Sequence, residues 1–431
     1  MFRQIIICAK WIQFLFWLYR NYTYIQSEVL YSIQLKEQLE NLGCLGIKLG
    51  QYLCNRPDII TPPMKIGLSS LLNKNKIHPL SYTKEILKKA NMEHVILGDI
   101  IGSGSLAQVY RCTYNDDSNL VVKVNHPEVY QLPDEISALK NIIYMLRCLP
   151  RFSFLINMDW DDFFESIKDQ IDMTKESIYL KEFYTIYKDI DEIQIPNVIV
   201  GNKDFIIMTY CEGETLDKFS RDDPIYIKAH NLFVCSMLYS GVEHKLLHGD
   251  IHEGNILVKK DGTISIIDYG LCIRLSMEQL IGILAISKFE LNPSYENCEN
   301  MVNALIHNRT ITDDDILFPE LTRELHNKYK DINCKEILLK DMFDFIMDTA
   351  HKYKVIVRGN IMAYFMNTIL LESLSPYKEI EEITNLIAMT YMKRHPYFLK
   401  NSNGYIEEYY NNAYAKANPL LIEKYNLKVI Q

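Results

Sequence analysis

The octapeptide HGDIHEGN at residues 248–255, which precedes the hydrophobic run ILV, decides the fold. Asp250 is its third residue, and Asn255 closes it five residues later. Thirteen residues further on, Asp268 lies in the segment IIDYG, between two isoleucines and an aromatic residue. Phosphoryl-transfer sites combine an aspartate that orients a hydroxyl with amide and carboxylate oxygens that bind Mg²⁺. The two segments therefore predict Asp250 as the catalytic residue and Asn255 and Asp268 as magnesium ligands.

A second motif, GSGSLAQV at residues 102–109, lies far upstream and is called the glycine loop below. Glycines let backbone amides approach phosphate oxygens without a Cβ in the way. The residues Gly102, Ser103, Gly104, Ser105 and Gln108 are therefore candidates for nucleotide binding. Strand-like segments flank the loop on both sides, which disfavours a dinucleotide-binding fold, where a helix follows the loop. Taken alone, this motif is little more specific than a bare turn.

Lys123 lies in the apolar segment LVVKV, one predicted hairpin after the glycine loop. The alternative to a functional role is an edge-strand lysine whose aliphatic stem reaches out to water. The position after a glycine loop favours a lysine that pairs with phosphates. Glu176, in the helical segment DMTKES, is the candidate partner for an ion pair with Lys123.

These four pieces follow in the chain order of the protein-kinase-like superfamily and predict an ATP- and magnesium-dependent phosphotransferase. A zinc site is the rival interpretation, because His244, His248 and His252 are spaced by four and would share one face of a helix. Gly249 and Gly254 disfavour a continuous helix there, and no fourth ligand stands out.

The composition is that of a folded intracellular protein. The chain has 431 residues, of which 48% are hydrophobic, enough for a large core. Its net charge is −9 and no basic stripe is present, which argues against a nucleic-acid partner. Ten cysteines occur without any C-x-x-C pair, which favours buried thiols in a reducing compartment over a disulfide framework. The organelle is left open.

The apolar N-terminal run Ile5–Tyr19 allows two interpretations. It is shorter than the roughly 20 residues of a membrane-spanning helix, and Lys10 interrupts it. No small-residue cleavage site follows, which disfavours a signal peptide. Its aromatic residues and Arg20 suit contact with a membrane interface, and a helix that packs on the protein itself fits equally well.

The remaining patterns complete the layout of the chain. They predict helices at Glu28–Leu42, Tyr82–Met92, Asp134–Arg147 and Trp160–Tyr187, strands within Val95–Val124, IPNVIV and DFIIMTY, a hairpin turn at Lys260-Asp261-Gly262, and helix breaks near Asn292-Pro293, Phe318-Pro319 and Ser375-Pro376. The predicted parts are an apolar segment (1–27), a helical extension (28–94), a small mixed α/β lobe (95–211) and a mostly helical lobe (212–431). The fold class is α+β, a bilobal protein-kinase-like fold.

The chain resembles the UbiB-like, ADCK-type atypical kinases, which are linked to coenzyme Q and isoprenoid-lipid metabolism. The resemblance is carried by LGIKLGQ at residues 45–51, which is similar to the family's lysine-x-glycine-glutamine signature, and by RPD at 56–58 and Pro62-Pro63 after it. It continues through GSGSLAQVYR, VVKVNHPEV, DMTKES, HGDIHEGN and IIDYG, and the late segment Arg358–Pro376 is similar to the family's C-terminal helix.

The resemblance implies a role for each matching residue. Lys48 and Gln51 would lie on a helix over the ATP cleft, as part of an extension packed there. Lys123 would contact the phosphates and pair with Glu176. The residues Met208 and Tyr210 would belong to the hinge MTYC, residues 208–211, behind the adenine.

Two departures from the family pattern bear on regulation. The family's phosphate loop is rich in alanine, whereas Gly102 and Gly104 stand here, so ATP affinity and phosphotransfer tendency are expected to differ. The family has a glutamate two residues before the aspartate that matches Asp172, and here that position is Gln170. A lysine–glutamine contact lacks the charge of a lysine–carboxylate pair, so the clamp by Lys48 is expected to be weaker.

The expected function is an atypical ATP-dependent kinase or ATPase that acts on a small-molecule or lipid acceptor at a membrane surface. Choline- and aminoglycoside-type kinases share the HGD…N and IID pattern but lack the LGIKLGQ block. A regulatory scaffold that binds ATP without turnover is a further alternative. A conventional protein kinase is disfavoured, because no Ala-Pro-Glu anchor follows Asp268.

Overall fold

The computed structural model describes residues 2–54, 61–68, 71, 77–146, 160–250, 252–277, 279–280, 294–307 and 314–332, with isolated positions beyond. The chain divides into two compact units. The first unit comprises Met1–Lys181 and Asn197–Tyr210, and the second comprises Glu182–Pro196 and Cys211–Gln431. The predicted segments 56–58, Asn292-Pro293 and Arg358–Pro376, with Ser375-Pro376 inside the last of them, lie outside the described residues.

The described helices and strands alternate in a mixed α+β order. The helices are α1 (Phe2–Ser27), α2 (Val29–Leu42), α3 (Cys44–Cys54), α4 (Pro62–Leu68), α5 (Leu80–Lys89), α6 (Leu132–Leu146), α7 (Trp160–Ile171), α8 (Met173–Tyr187), α9 (Pro224–His244), α10 (Tyr295–Leu305) and α11 (Asp314–Tyr329). The strands are β1 (Ile96–Ser103), β2 (Ala107–Tyr114), β3 (Asp117–Asn125), β4 (Ile193–Gln194), β5 (Val198–Gly201), β6 (Phe205–Thr209), β7 (Glu214–Thr215), β8 (Leu246–His248), β9 (Ile256–Val258), β10 (Ile264–Ile266), β11 (Cys272–Arg274), β12 (Ile306–His307) and β13 (Ile356–Val357).

The first unit contains a five-stranded antiparallel sheet in the order β1-β2-β3-β6-β5. The glycine loop joins β1 to β2, and a tight turn joins β2 to β3. Asn115 and Asp116 occupy that turn with φ of 49° and 63°, a left-handed conformation that asparagine and aspartate tolerate. Val122 and Val124 of β3 are buried beneath the sheet with residues of α5. The predicted strand–loop–strand–turn–strand order is confirmed.

Helices α1, α2, α3, α4, α6 and α7 of the first unit share one hydrophobic core, which includes Trp11 of α1, Leu39 of α2, Leu49 of α3 and Phe163 of α7. α1 contributes one apolar face to this core. Its other side leaves Ile12 and other apolar side chains exposed. The inner face of α1 therefore packs on the protein itself, as one of the two interpretations of the N-terminal run expected. Among the described helices, none combines the length and the apolar character needed to cross a bilayer.

The second unit is built around α9 and small sheets. Asp223 caps α9, since its side chain accepts a hydrogen bond from the Ile225 amide at 2.8 Å, and the helix ends before Lys245, whose φ is 54°. The strands β4, β10, β9 and β7 form one sheet, and β8 pairs with β11. Gly262 has φ of 81° in the turn between β9 and β10, so the predicted Asp-Gly hairpin is confirmed.

Two helix predictions need correction. The predicted stretch Trp160–Tyr187 is interrupted at Asp172, whose side chain accepts a hydrogen bond from the Thr174 amide at 2.9 Å and so caps α8. The predicted break at Phe318-Pro319 is wrong, because α11 continues through Pro319. A proline removes one intrahelical hydrogen bond, and buried Leu321 and Leu325 of the same helix provide apolar packing that offsets this loss.

The close approach of α4 to α2 generates a stability prediction. A Cβ on Gly67 would lie 2.5 Å from both the carbonyl carbon and the Cβ of Ser32, so one helix would have to move. We expect Gly67→Ala to lower the free energy of unfolding by about 1–3 kcal/mol, measured as a fall in the thermal unfolding midpoint. Gly102→Ala is the matched control, because a Cβ there meets nothing within 4 Å. Equal midpoints for the two variants would contradict this packing.

Candidate active site

Lys123 and Glu176 form a buried ion pair in the first unit. Lys123 Nζ lies 2.7 Å from Glu176 Oε1, and the two residues are 9% and 3% exposed. Lys123 stands on β3, the central strand of the sheet, opposite Val109 of β2 and Ile206 of β6. The alternative of an edge-strand lysine is therefore wrong. A buried charge is tolerated only with a partner, and the Glu176 carboxylate is that partner for Lys123 within the sheet.

The glycine loop is closed by its own backbone. The Gly104 amide donates to the Ala107 carbonyl at 2.8 Å, which forms a tight turn between β1 and β2. Gly102 lies at the end of β1, opposite Val109, and Ser103 and Ser105 flank Gly104. The packing of the chain places no atom within 4 Å of a Cβ on Gly102, so no contact within the protein requires glycine there.

The side chain of Gln108 does not lie on the surface of the glycine loop. It is fully buried, and its Oε1 accepts a hydrogen bond from the His78 amide at 2.9 Å. Its Nε2 donates to the hydroxyl of Tyr110. A nucleotide contact by Gln108 stays a prediction. The contacts that are present stabilise the base of the loop.

The predicted hinge MTYC begins at the end of the same sheet. Met208 lies in β6, opposite Val121 of β3, and is buried. The Tyr210 amide donates to the Asn119 carbonyl at 2.9 Å, and its ring lies 3.9 Å from the Arg111 guanidinium carbon. The division between the two units falls between Tyr210 and Cys211, inside this segment. The cation–π contact of Arg111 was not predicted, since nothing in the sequence links the two positions.

The residues with a predicted regulatory role lie on α3, α7 and the start of α8. Lys48 Nζ donates to Gln170 Oε1 at 2.8 Å, and Gln170 Nε2 donates to the Ser166 carbonyl at 3.2 Å. Gln51 Nε2 donates to the Leu71 carbonyl at 2.9 Å. Asp172 is the cap of α8. The contact of Lys48 is thus made to a neutral amide, as expected from the sequence, and its regulatory meaning stays a prediction.

In the second unit, the segment HGDIHEGN follows β8. The Gly249 amide donates to the Leu271 carbonyl at 2.8 Å, and Asn255 Nδ2 donates to the Asp250 carbonyl at 2.9 Å. This second bond fixes the Asn255 amide, so its Oδ1 remains the acceptor that could face a cation. The Ile267 amide donates to the Asn255 carbonyl at 2.9 Å, which ties the segment to the residue before Asp268.

Asp268 has an unusual backbone conformation. Its φ is 63°, in the left-handed region that costs energy for a residue with a Cβ. The Gly270 amide donates to its Oδ1 at 3.3 Å, and its side chain is exposed. The next residue, Tyr269, is fully buried, with its ring 4.7 Å from that of Phe183 and 5.0 Å from that of His248. Burial of Tyr269 thus fixes the chain where Asp268 turns outward.

His248 is a buried residue of this segment. Burial lowers the pKa of its imidazole, and the nearby carboxylates of Asp250 and Asp268 oppose that shift. Its Nδ1 accepts a hydrogen bond from the Asp250 amide at 3.3 Å. The zinc interpretation needed one continuous helix, but α9 ends at His244 and His248 belongs to β8. Within the described residues, no group of three or more His, Cys, Asp or Glu side chains is arranged to hold a metal ion.

The predicted site residues thus form two sets. Lys123, Glu176 and the glycine loop belong to the first unit, together with Lys48 and Gln170. Asp250, Asn255 and Asp268 belong to the second unit. In the first set hydrogen bonds join Lys123 to Glu176 and Lys48 to Gln170. In the second set one joins the Asn255 side chain to the Asp250 carbonyl. The buried polar cluster of His78, Thr83, Gln108, Tyr110 and His126 was not predicted, because its members come from separate elements.

Known proteins similar to this chain share an atypical kinase-like domain. Residues 98–301 match the model of the ABC1 atypical kinase-like domain. Protein ACTIVITY OF BC1 COMPLEX KINASE 1, chloroplastic, of Arabidopsis thaliana is 25% identical over 360 residues, which cover 76% of this chain and 51% of that protein. ABC1 family protein YPL109C, mitochondrial, of Saccharomyces cerevisiae is 24% identical over 271 residues, 56% of this chain and 41% of that protein.

A vertebrate protein is also similar to this chain. AarF domain-containing protein kinase 1 of Xenopus laevis is 24% identical over 280 residues, which cover 58% of this chain and 52% of that protein. The chain spans about half the length of the curated relatives it matches. The matched residues contain the glycine loop, the Lys123–Glu176 pair, HGDIHEGN and Asp268. Residues 98–301, just under half of this chain, are thus similar to the ABC1 atypical kinase-like domain.

Proposed function

We propose that this chain is an atypical ATP-dependent kinase or ATPase that acts on a small-molecule or lipid acceptor at a membrane surface. The observation that carries the proposal is the buried Lys123–Glu176 ion pair on the central strand beside the glycine loop. The similarity of residues 98–301 to the ABC1 atypical kinase-like domain and the relatives named as kinases support it. We also propose an intracellular location, which the relatives named chloroplastic and mitochondrial support.

The strand register supports a phosphate-binding role for Lys123. Val109 of β2 stands opposite Gly102 on one side and opposite Lys123 on the other. Two strand spacings separate the lysine backbone from the loop glycine, roughly 10 Å, at the same level of the sheet. The Lys123 ammonium group, held by Glu176, can therefore form ion pairs with phosphates that the loop amides bind.

The donor set of the second unit fits magnesium. Mg²⁺ prefers hard oxygen ligands and takes few of them from the protein, and Asn255 Oδ1 and the Asp268 carboxylate are such ligands. When bound, this ion neutralises phosphate charge as it develops. We assign to Asp250 the role of orienting the acceptor hydroxyl and receiving its proton. The hydrogen bond from Asn255 to the Asp250 carbonyl, at 2.9 Å, keeps these two residues in a fixed relation.

The outer face of α1 supports membrane contact. Ile5, Ile12 and Phe16 are exposed and lie along one side of the helix, while Lys10 and Arg20 are exposed close by. A helix with an apolar face and neighbouring cations suits the interface of an anionic bilayer. The net charge of −9 opposes such binding at long range, so the apolar contact must dominate.

The first test of the proposal is Asp268→Asn. Asparagine tolerates the left-handed conformation at φ of 63°, so the change removes the charge with little backbone strain. We expect magnesium-dependent ATP turnover to fall about a hundredfold or more, because the metal is worth several kcal/mol at the transition state. Turnover is measured as phosphate release, with and without liposomes.

Asp191→Asn is the control for that test, since Asp191 is an exposed carboxylate of the same unit. Wild-type protein without magnesium-dependent ATP binding, together with an Asp268→Asn variant that behaves like wild type, would refute the proposal. Thermal stabilisation by ATP without turnover in any lipid or detergent would instead favour the regulatory scaffold.

A second test concerns the contact between Lys48 and Gln170. A charge-assisted hydrogen bond is roughly twice as strong as a neutral one, so Gln170→Glu should tighten the clamp. We expect this variant to lower ATP turnover about fivefold, and Lys48→Ala in the same background to restore it. In the wild-type background Lys48→Ala should change turnover less. Equal effects of Lys48→Ala in both backgrounds would show that the contact does not regulate the reaction.

A third test concerns membrane contact by α1. The double change Ile12→Ser and Phe16→Ser should weaken binding to phosphatidylglycerol–phosphatidylcholine vesicles about tenfold or more, because it removes buried apolar area. Binding is measured by vesicle co-flotation. Ile96→Ser is the control, since Ile96 is an exposed apolar residue of β1 in the same unit. If the control and the double variant bind alike, the face of α1 is not the contact.

A further inference from the structure

A buried chain of polar side chains leads to the glycine loop. It comprises His78, which precedes α5, Thr83 of α5, Gln108 and Tyr110 of β2, and His126, which follows β3. All five residues belong to the first unit and all are buried. Buried polar groups are costly unless each finds a hydrogen-bond partner, so this cluster calls for a structural or functional reason.

The contacts join these residues end to end. Gln108 Oε1 accepts from the His78 amide at 2.9 Å, and Gln108 Nε2 contacts Tyr110 Oη. Tyr110 Oη lies 3.1 Å from Thr83 Oγ1, which lies 2.7 Å from His78 Nε2. On the other side of the ring, His78 Nδ1 lies 2.7 Å from His126 Nδ1, and His126 Nε2 lies 3.1 Å from the Gly104 carbonyl oxygen. Ser103 Oγ lies 3.4 Å from the same His126 nitrogen. The chain therefore ends on the backbone of the glycine loop.

The contact with Gly104 determines which atom donates in each hydrogen bond of this side-chain series. The Gly104 carbonyl can only accept, so His126 must carry its proton on Nε2. In a neutral His126 ring Nδ1 is then an acceptor, and His78 donates to it from Nδ1. His78 Nε2 in turn accepts from the Thr83 hydroxyl. Either hydroxyl can donate in the 3.1 Å contact between Thr83 and Tyr110, so with the Thr83 proton used on His78 the donor is Tyr110.

Gln108, at the other end of the series, gives the same direction of donation. Because Gln108 Oε1 accepts from the His78 amide at 2.9 Å, the Gln108 Nε2 group must be the donor toward Tyr110. The Tyr110 hydroxyl proton is then free to point at Thr83. Every link is satisfied by two neutral imidazoles in opposite tautomers, His78 with its proton on Nδ1 and His126 with its proton on Nε2.

The electrostatic environment agrees with a neutral His78. Burial, reinforced by the neighbouring His126, lowers the pKa of His78 to about 4, and Glu128 only partly opposes this. At pH 7 this ring is therefore neutral, as the link between the two Nδ1 atoms requires. A proton on both of these atoms would leave two donors facing each other.

His126 holds the loop at two points. Its backbone amide donates to the Leu106 carbonyl at 2.7 Å, while its Nε2 faces the Gly104 carbonyl. The same residue lies three positions after Lys123, at the end of β3. The turn that carries Gly104 is thus attached to the strand that carries the phosphate-binding candidate Lys123.

We propose that His126 is a positioning residue for nucleotide binding, which holds the Gly104 carbonyl through Nε2–H, and that His78 fixes the tautomer of His126. With this carbonyl held, the amides of the loop keep one orientation toward phosphate oxygens. The effect of His126 on ATP binding rests on the proposed function. The hydrogen bonds from His78 to His126 and on to Gly104 are present in the protein without nucleotide. The chain is therefore tested separately from ATP binding.

The first experiment determines the tautomers in the nucleotide-free full chain. Histidine-selective ¹⁵N labelling gives signals from 11 histidines, and His78→Gln and His126→Gln assign two of them. We expect His126 to carry its proton on Nε2 and His78 on Nδ1 at pH 7. The opposite tautomers, or a doubly protonated ring at either position, would overturn the inference whatever the protein does with ATP.

The second experiment compares two replacements of His126. The amide nitrogen of glutamine reaches the position of Nε2, whereas that of asparagine reaches only the position of Nδ1. We expect His126→Asn to weaken ATP binding about three- to tenfold, and His126→Gln to recover most of the affinity, because one neutral hydrogen bond is lost and regained. His94→Gln, an exposed histidine of the same unit, should bind ATP like wild type.

The outcomes separate this inference from the proposed function. Wild-type protein that does not bind ATP would overturn both. Wild type that binds ATP, with His126→Asn binding it as tightly as His94→Gln, would overturn the positioning role alone. If His126→Asn does not fold, Thr83→Val decides. It removes the donor to His78 Nε2 and should lower both the Nδ1–H population of His78 and the ATP affinity. Retention of both in Thr83→Val would overturn the inference.

Discussion

A positive charge inside a β-sheet is the constraint on which the first unit depends. Lys123 lies on the central strand, where water cannot solvate its ammonium group, so a carboxylate must be delivered to it. Glu176 lies in the first turn of α8, which means that this helix must start at a fixed place beside the sheet. Asp172 provides that start as a cap. Asn125 secures it, since its Nδ2 donates to the Ile171 carbonyl at 2.9 Å and to the Lys203 carbonyl at 3.2 Å.

The helical extension is held in place by contacts with α7 and with the sheet. Leu45 and Leu49 of α3 lie in one core with Phe163 of α7, so the helix that carries Lys48 is held on the helix that carries Gln170. His78, between the extension and the sheet, reaches His126 and through it the loop. The sequence N-terminal to the sheet is thus bonded to α7 through Lys48 and to the sheet through His78, so the geometry of the loop is partly determined outside it.

Local signals predicted much of this architecture, and non-local packing explains the rest. Asn115 and Asp116 need only their own conformational preferences to make a turn, and the apolar pattern around Lys123 needs only its period to make a strand. The break at Asp172 was missed because the apolar pattern continues on both sides of it. The path of α11 through Pro319 was missed because packing outweighed a local rule. The buried state of Gln108 and the tautomers of the two histidines depend on partners from separate elements, which no window of sequence contains.

The open environment of Gly102 has a consequence for how such chains diverge. A methyl group at Gly102 would meet nothing within 4 Å, and at Gly104 it would meet only the Ala107 carbonyl at 3.8 Å, an ordinary contact. Glycine and alanine codons differ by a single nucleotide, so either position can change in one mutational step without cost to the folded state. An evolving lineage can therefore exchange glycine for alanine in this loop through intermediates that all fold, and selection would act on the chemistry of the loop alone.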